Sequence, residues 1–518
     1  LKEIMSADPS THITADPIIR ESRRRRTILI GVCIALMAVI ASVSGLNVAQ
    51  PQLALAFDAS QSDIVWMINI YTITLAALLL PLGAAGDRRG RKTVLIAGLV
   101  VFGAASAAAG LAPTIEVMLA ARLLCGVGAA MIMPVTLAVI TSTFPAEERS
   151  KAIGVWTAVC GGGGVLGMFV SAVLVDVASW RWLFVLPVVL VLAALPMALR
   201  AIPNSREVPE RNFDFVGALT SMIAVVGFIF ALTEGPEQGW TAPVTLLGLL
   251  FGAGGAIGFA LWELRQAAPL LDVRLFRTRA LASGSVSLLA VFGVPSGIFL
   301  VLYPYFQAVL GWSGLVSTLA LMPMLVLMIV CSGLAPRLTA RIGVRLAMAT
   351  GIFLGLAGLA LMAILVSVDG GYLSVLPGYV VMGLGMGLSM TPSTEAITSS
   401  LPRERQGVAS ALNDIAREFG SGLGIALLGA VLTAGYGKAI DSRLEGVPAG
   451  AADTARKGIA SALAIADEAQ PYSKALFRSA QESFVRGWQE AMWAGVIMMT
   501  IVLVFVLVRG PERTNSSV

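Results

Sequence analysis

The chain has 518 residues, of which 57% are hydrophobic and only 13% charged, and its formal net charge is +5. Soluble domains carry roughly 25% charged residues, so the composition excludes an ordinary soluble globular protein. This much apolar surface needs lipid. The basic residues cluster in short segments beside apolar runs, the distribution that orients a membrane protein, so no nucleic-acid partner is expected.

Residues 1 to about 26 are polar, contain the sole histidine, His12, and end in Arg23, Arg24, Arg25 and Arg26. They read as a disordered cytoplasmic tail without a cleavable signal peptide. Fourteen apolar runs follow, beginning near Thr27, Ile64, Thr93, Ile115, Ala152, Trp182, Val216, Thr241, Ser283, Leu315, Arg345, Gly371, Gln406 and Trp488. A helix needs about 20 residues to cross the hydrocarbon core, and a backbone in lipid must satisfy its own hydrogen bonds. The fold expected is an all-α polytopic membrane protein. A six-helix bundle spans 27–200, two inserted transmembrane helices lie in 215–265, and a second six-helix bundle spans 280–510. A long extracellular loop, 437–487, precedes the last span, and its Ala-rich stretch Ala451–Ala469 suits a surface helix.

Loop charges alternate. One face carries Arg88, Arg89, Arg91 and Lys92, then Arg149 and Lys151, Arg200, Arg274, Arg277, Arg337, Arg341, Arg403 and Arg405. The other face holds mostly acids such as Asp58, Asp63, Glu116, Glu234 and Asp369. Both termini are therefore expected to be cytoplasmic, with the protein in the cell membrane. An internal repeat accompanies this pattern. Pro134 to Pro145 is followed by Glu147, Glu148, Arg149 and a Gly-rich run, and Pro392 to Pro402 by Arg403, Glu404, Arg405 and another. Arg341-Ile-Gly-Val-Arg345 is a weaker echo of the basic turn at Gly90. Parallel repeats of this kind occur in transporters.

The turn Gly83-Ala-Ala-Gly-Asp-Arg-Arg-Gly-Arg-Lys-Thr-Val-Leu95 is the most specific motif. Gly83, Asp87, Arg88, Gly90, Arg91 and Lys92 match the loop between helices two and three of the major facilitator superfamily. Arg122 with Gly126, the set Asn47, Ala49 and Pro51, and the stretch Ser179 to Phe184 extend the likeness, and Tyr303 and Gln307 fit its ninth helix. The chain thus resembles the fourteen-helix drug:proton antiporters of that superfamily, the multidrug efflux type, over about residues 27–510. The resemblance implies alternating access between two bundles, with the Asp87 turn as a conformational latch. The chain departs from the pattern at Ser42 and Asn69, where many members carry Asp, and at Gly167–Ala172, which lacks the antiporter motif's proline.

Intramembrane charge usually signals function. In the first bundle the candidate is Arg122. In the second, Asp414 and Glu418 are four residues apart on one helix face, with Arg417 placed to pair with Asp414, and Glu395 precedes Pro402 by seven residues. One reading makes Asp414 or Glu418 the proton carrier. The other makes the group an ion-pair network joining helices. Asp87 is expected near the start of a facing helix, where free N–H groups and the helix dipole favour a carboxylate. Cavity candidates are Asn47, Gln50, Asn69, Tyr71, Tyr303 and Gln307, each of which helix–helix hydrogen bonding explains equally well. The run Gly161–Gly164 lacks the Lys-Ser/Thr of a phosphate loop and suits close helix contact. Cys33, Cys125, Cys160 and Cys331 lie in apolar runs without CxxC spacing, so neither metal nor cofactor is expected.

The function expected is proton-coupled efflux of a hydrophobic or amphipathic small molecule, by a transporter and not an enzyme. Its partners are the substrate, protons and membrane lipids. The alternative is a transporter of lipid or an endogenous metabolite without proton coupling, which the missing acids at Ser42 and Asn69 favour.

Overall fold

The computed structural model describes residues 15–203, 213–267, 269–444, 447, 449–456, 458–466 and 473–511. Among them every regular element is helical, and fourteen spans are long and apolar enough to cross a membrane. The first six are α1 (Ala15–Phe57), α2 (Gln61–Arg89), α3 (Arg91–Gly110), α4 (Ile115–Thr143), α5 (Ala146–Val177) and α6 (Trp182–Ala201). The inserted pair is α7 (Phe215–Gln238) and α8 (Pro243–Glu263). Then come α9 (Arg279–Pro304), α10 (Gly314–Leu319) running on into α11 (Met322–Ile342) as one span, α12 (Val344–Leu365), α13 (Gly371–Ser399) and α14 (Gln406–Asp441). Two short helices, α15 (Ala449–Arg456) and α16 (Ile459–Ala466), precede the last span, α17 (Ser473–Arg509).

Two expectations about boundaries are corrected. The first helix begins at Ala15, so residues 15–26 are helical and not a disordered tail. Arginines are good helix formers and can carry a helix beyond the hydrocarbon while their heads reach polar groups. Arg24 Nε donates to the carbonyl of Ala201 at 3.0 Å, and Arg25 pairs with Glu148 at 3.3 Å. Residues 1–14, with His12, lie outside the described residues. The segment 437–487 is likewise less of a loop than expected, because α14 continues to Asp441 and α17 starts at Ser473 and not near Trp488. The first turns of α17 are charged, which hides them from a hydropathy reading, yet Arg478 and Glu482 pair one helical turn apart at 2.8 Å. The Ala-rich stretch forms the two short helices, and residues 467–469 are outside the described set.

The same packing scheme occurs twice. In the first six helices, α3 packs on α4, α2 on α4, α1 on α5 and α3 on α6. In the second set, α12 packs on α13, α11 on α13, α9 on α14 and α12 on α17. The Pro134 and Pro392 repeats fall on corresponding helices, α4 and α13. Each half crosses its first and fifth helices at small residues. Gly167 lies against Ala41 and Gly45 against Ser171, where a Cβ on either glycine would meet its neighbour at 2.9 Å. Gly293 and Gly297 face the Gly420 and Gly424 carbonyls at 2.7 and 2.5 Å on the same measure. The turns after α2 and α11 are single glycines in the left-handed half of φ space, Gly90 at φ 103° and Gly343 at φ 87°, where other residues are strained.

The halves meet reciprocally. The fifth helix of the first, α5, packs on α11 and α13, and the fifth of the second, α14, packs on α2 and α4. The inserted pair covers one seam, with α7 against both α2 and α14. Asp214 Oδ1 ties the pair together by accepting from Gly217 N at 2.7 Å and Trp262 Nε1 at 2.9 Å. Between this pair and α9 and α14 lies an apolar cleft of about 570 Å³, lined in part by Phe228, Leu232, Trp240, Leu289 and Phe419.

Candidate functional site

The Asp87 turn joins the two halves. Asp87 and Arg91 are 4% and 1% exposed, so their contacts are made away from water. Asp87 Oδ1 and Oδ2 accept from Gly407 N at 2.9 and 2.8 Å, and Oδ2 accepts from Val408 N at 3.2 Å. These are orphan N–H groups in the first turn of α14, where the helix dipole also favours an anion. Arg91 Nε and Nη2 donate to Asp87 Oδ1 at 3.1 and 3.0 Å, and Nη2 reaches the Arg403 carbonyl at 2.7 Å. Gly83 and Gly407 allow this approach, since a Cβ on Gly407 would sit 2.2 Å from the Gly83 carbonyl oxygen. Arg88 lies over the Phe213 ring at 5.4 Å, and Lys92 Nζ donates to the Leu199 carbonyl at 2.6 Å within its own half.

Side-chain hydrogen bonds also cross the interface. Ser150 Oγ on α5 donates to Glu395 Oε1 on α13 at 2.5 Å, near the same end as Asp87. Deeper in, Thr157 and Thr391 share a hydrogen bond of 2.8 Å. The glycine run of α5 faces α11 and α1. Gly161 lies against Met328, Gly162 against Leu325 and Gly163 against Met37.

At the centre, Asp414 is wholly buried on α14 and accepts from Arg417 Nη1 at 3.1 Å and Asn413 Nδ2 at 3.4 Å. The Arg417 guanidinium lies 4.5 Å from the centre of the Phe292 ring and 5.9 Å from that of Trp156, which belongs to the other half. Glu418 is half-buried and close enough to Arg417, Cys160 and Tyr71 to interact electrostatically. Among the described residues, Asp414 Oδ2 and Glu395 Oε2 are buried without a hydrogen-bond partner. Each of these two carboxylates therefore has a second oxygen able to take a proton or a new donor.

Arg122 lies on α4. Its Nε donates to the Met67 carbonyl and its Nη1 to Ser42 Oγ, both at 3.1 Å, and Tyr71 lies under it at 4.3 Å. The Tyr71 hydroxyl donates to the Val39 carbonyl at 3.2 Å. Tyr303 shares a 2.5 Å hydrogen bond with Thr318 and touches Met168 Sδ of the other half at 3.6 Å. Gln50, Asn69 and Gln307 make no side-chain hydrogen bond among the described residues. The side chain of Asn47 lies outside the described set. Tyr71 and Tyr303 are thus placed by specific partners, whereas the polar cavity candidates do not come together as one hydrogen-bonded group. Sequence reasoning missed Trp156, Phe292, Ser150 and the Thr157–Thr391 pair, which carry no local signal separating an interface contact from helix packing.

The family model of the Major Facilitator Superfamily matches residues 32–425. The chain belongs to the Major Facilitator Superfamily. It is therefore a multi-pass membrane transporter and not an enzyme. It is 30% identical to the multidrug resistance protein Stp of Mycobacterium tuberculosis, over 82% of this chain and 79% of that one. It is 32% identical to the multidrug efflux pump LfrA of Mycolicibacterium smegmatis, over 78% of this chain and 79% of that one. Its fold is similar to that of the proton:xylose symporter XylE, with a TM-score of 0.62 at 14% identity, covering 95% of this chain and 97% of the other. Among major facilitator proteins, then, its relatives include proteins named for multidrug resistance and efflux.

Proposed function

We propose that this protein exports hydrophobic or amphipathic small molecules across the cell membrane by alternating access, driven by inward proton flow. Both termini and the Arg88–Lys92 turn face the cytoplasm, in keeping with the positive-inside rule. The arrangement described above is then the one in which the cytoplasmic ends of the halves are fastened. The reciprocal packing of α5 and α14 supports rocking about a central axis, and the names of Stp and LfrA support the substrate class.

One observation carries the proton coupling. The Asp414–Arg417 pair is buried at the meeting of the halves, with Glu418 beside it and Trp156 of the opposite half against Arg417. Breaking a buried ion pair is costly, so a proton on Asp414 would free Arg417 and change how α14 meets α5. Glu418 lies within reach to receive either the proton or the released guanidinium. The test is flux of an amphipathic dye from proteoliposomes with and without an imposed pH gradient. The double variant Asp414→Asn, Glu418→Gln is expected to lose gradient-driven flux while keeping dye exchange. Full pH-driven flux in that variant would refute the assignment. Flux indifferent to pH in the unaltered protein would favour the uncoupled lipid or metabolite transporter.

A further inference from the structure

Arg122 is 0% exposed. The other two arginines of comparable burial have carboxylates, Arg91 in Asp87 and Arg417 in Asp414. Arg122 has none among the described residues. Its neutral contacts are the Met67 carbonyl, the Ser42 hydroxyl and the Tyr71 ring. The groups that act on it electrostatically are a phenol, Tyr71, and a thiol, Cys125. Among the described residues its Nη2 is buried with no acceptor. A cation held away from water is normally paired, so this guanidinium has both an unused donor and an uncancelled charge. The residue facing Nη1 is Ser42, 4% exposed, which offers an oxygen at 3.1 Å but no negative charge.

We propose that Arg122 is the binding site of a monovalent anion, either a halide or the carboxylate of an amphipathic substrate, which supplies the counter-charge that Ser42 does not. The Tyr71 ring forms one wall, and Nη2 is the donor left for the ligand. Arg122 and Tyr71 are both closed to water in this arrangement, so the ligand reaches them when the halves part. For this access the inference rests on the alternating-access reading, and where the anion is the substrate's own it narrows the substrate class to molecules that carry a carboxylate.

The test measures binding without transport. The purified full-length protein is unfolded thermally with isethionate as the sole anion, and then with chloride or benzoate titrated in. A ligand that binds only the folded state raises the apparent Tm saturably, and a shift of about 2 °C or more is expected. Ser42→Asp places a carboxylate within ion-pair reach of Nη1 and should abolish the shift. Ser42→Ala keeps the charge uncancelled and should retain it. Arg122→Gln should also lose it, which keeps the test decisive if Ser42→Asp folds poorly. A response to chloride alone assigns a halide, a response to benzoate alone assigns a substrate carboxylate, and competition between them assigns one shared site. No saturable shift with either anion, or equal shifts in the unaltered protein and in folded Ser42→Asp or Arg122→Gln, would overturn the proposal. Because no flux is read, such a failure leaves the efflux reading standing.

Discussion

Asp87→Asn changes one atom and preserves shape, so its effect reports the charge of the latch. In the fastened state Asp87 accepts from two backbone N–H groups of α14 and from Nε and Nη2 of Arg91. Asparagine retains one acceptor, but its amide group would point donors at donors. Hydrogen bonds to charged groups contribute about 1.5–3 kcal/mol each, and breaking a buried ion pair costs about 3–5 kcal/mol. These are overlapping views of the same loss, so about 3–5 kcal/mol is the magnitude to expect for the whole substitution. At about 1.4 kcal/mol per tenfold, the ratio of fastened to parted halves should fall by roughly 100- to 4000-fold. Spin labels at Arg89→Cys and Glu404→Cys, both exposed beside the latch, report that ratio as a distance distribution. The fastened distance should dominate in the labelled parent and largely vanish with Asp87→Asn, and dye flux should fall while expression holds. An unchanged distance distribution would refute the reasoning, whatever the flux.

Other outcomes follow from the same geometry. Gly407→Ala places a methyl carbon where only 2.2 Å separates it from the Gly83 carbonyl oxygen. Overpacking of this kind typically costs about 1–3 kcal/mol, so flux should drop about tenfold, and normal flux would show that α2 and α14 need not meet this closely. Arg122→Lys keeps the cation but loses the planar fork that reaches Met67 and Ser42 together. It should restore only part of the proton-driven flux that Arg122→Ala abolishes, and full flux in Arg122→Ala would make the residue merely structural. At the opposite end, Arg478 grips Asp369 with bonds of 2.7 and 2.6 Å and holds its carboxyl below the usual carboxylate range. A depressed pKa means that the contact contributes above the ordinary pKa and is lost only as pH falls below about 4. Asp369→Asn should therefore leave the pH profile of flux between pH 5 and 8 unchanged, and a displaced profile would place pH sensing at this clasp.

The sequence was most legible where chemistry is local. Asp414 and Arg417 are three residues apart on a helix, so their pairing follows from helical geometry alone. Asp87 was readable because a carboxylate among apolar spans needs donors, and the start of a facing helix supplies them. The spans themselves follow from bilayer thickness. What stayed hidden depends on distance along the chain. Ser150 meets Glu395 across 245 positions and Thr157 meets Thr391 across 234, and no periodicity in either helix marks those partners. The early start of α17 was hidden differently. Its charged residues satisfy one another and α12–α13 turn residue Asp369, so a helix continues where hydropathy alone stops it.

The two halves share a packing scheme but fasten to each other unequally. The turns at Gly90 and Gly343 keep the same left-handed glycine, yet the second turn has no counterpart of Asp87, since Ala340 stands three residues before Gly343 where Asp87 stands three before Gly90. The return contact from the second half to the first uses another helix. Glu395 on α13 accepts from Ser150 near the start of α5, while Asp87 on α2 accepts from the start of α14. Each half thus extends a carboxylate to the beginning of the other's fifth helix, once from a second helix and once from a fourth. The Asp87 contact is a buried ion pair with backbone donors, whereas the Glu395 contact is a single hydroxyl bond with one carboxylate oxygen left unpartnered. Charge-assisted networks are stronger than single bonds, so the first is the main fastening. The free oxygen of Glu395 leaves the second open to rearrangement when the halves part.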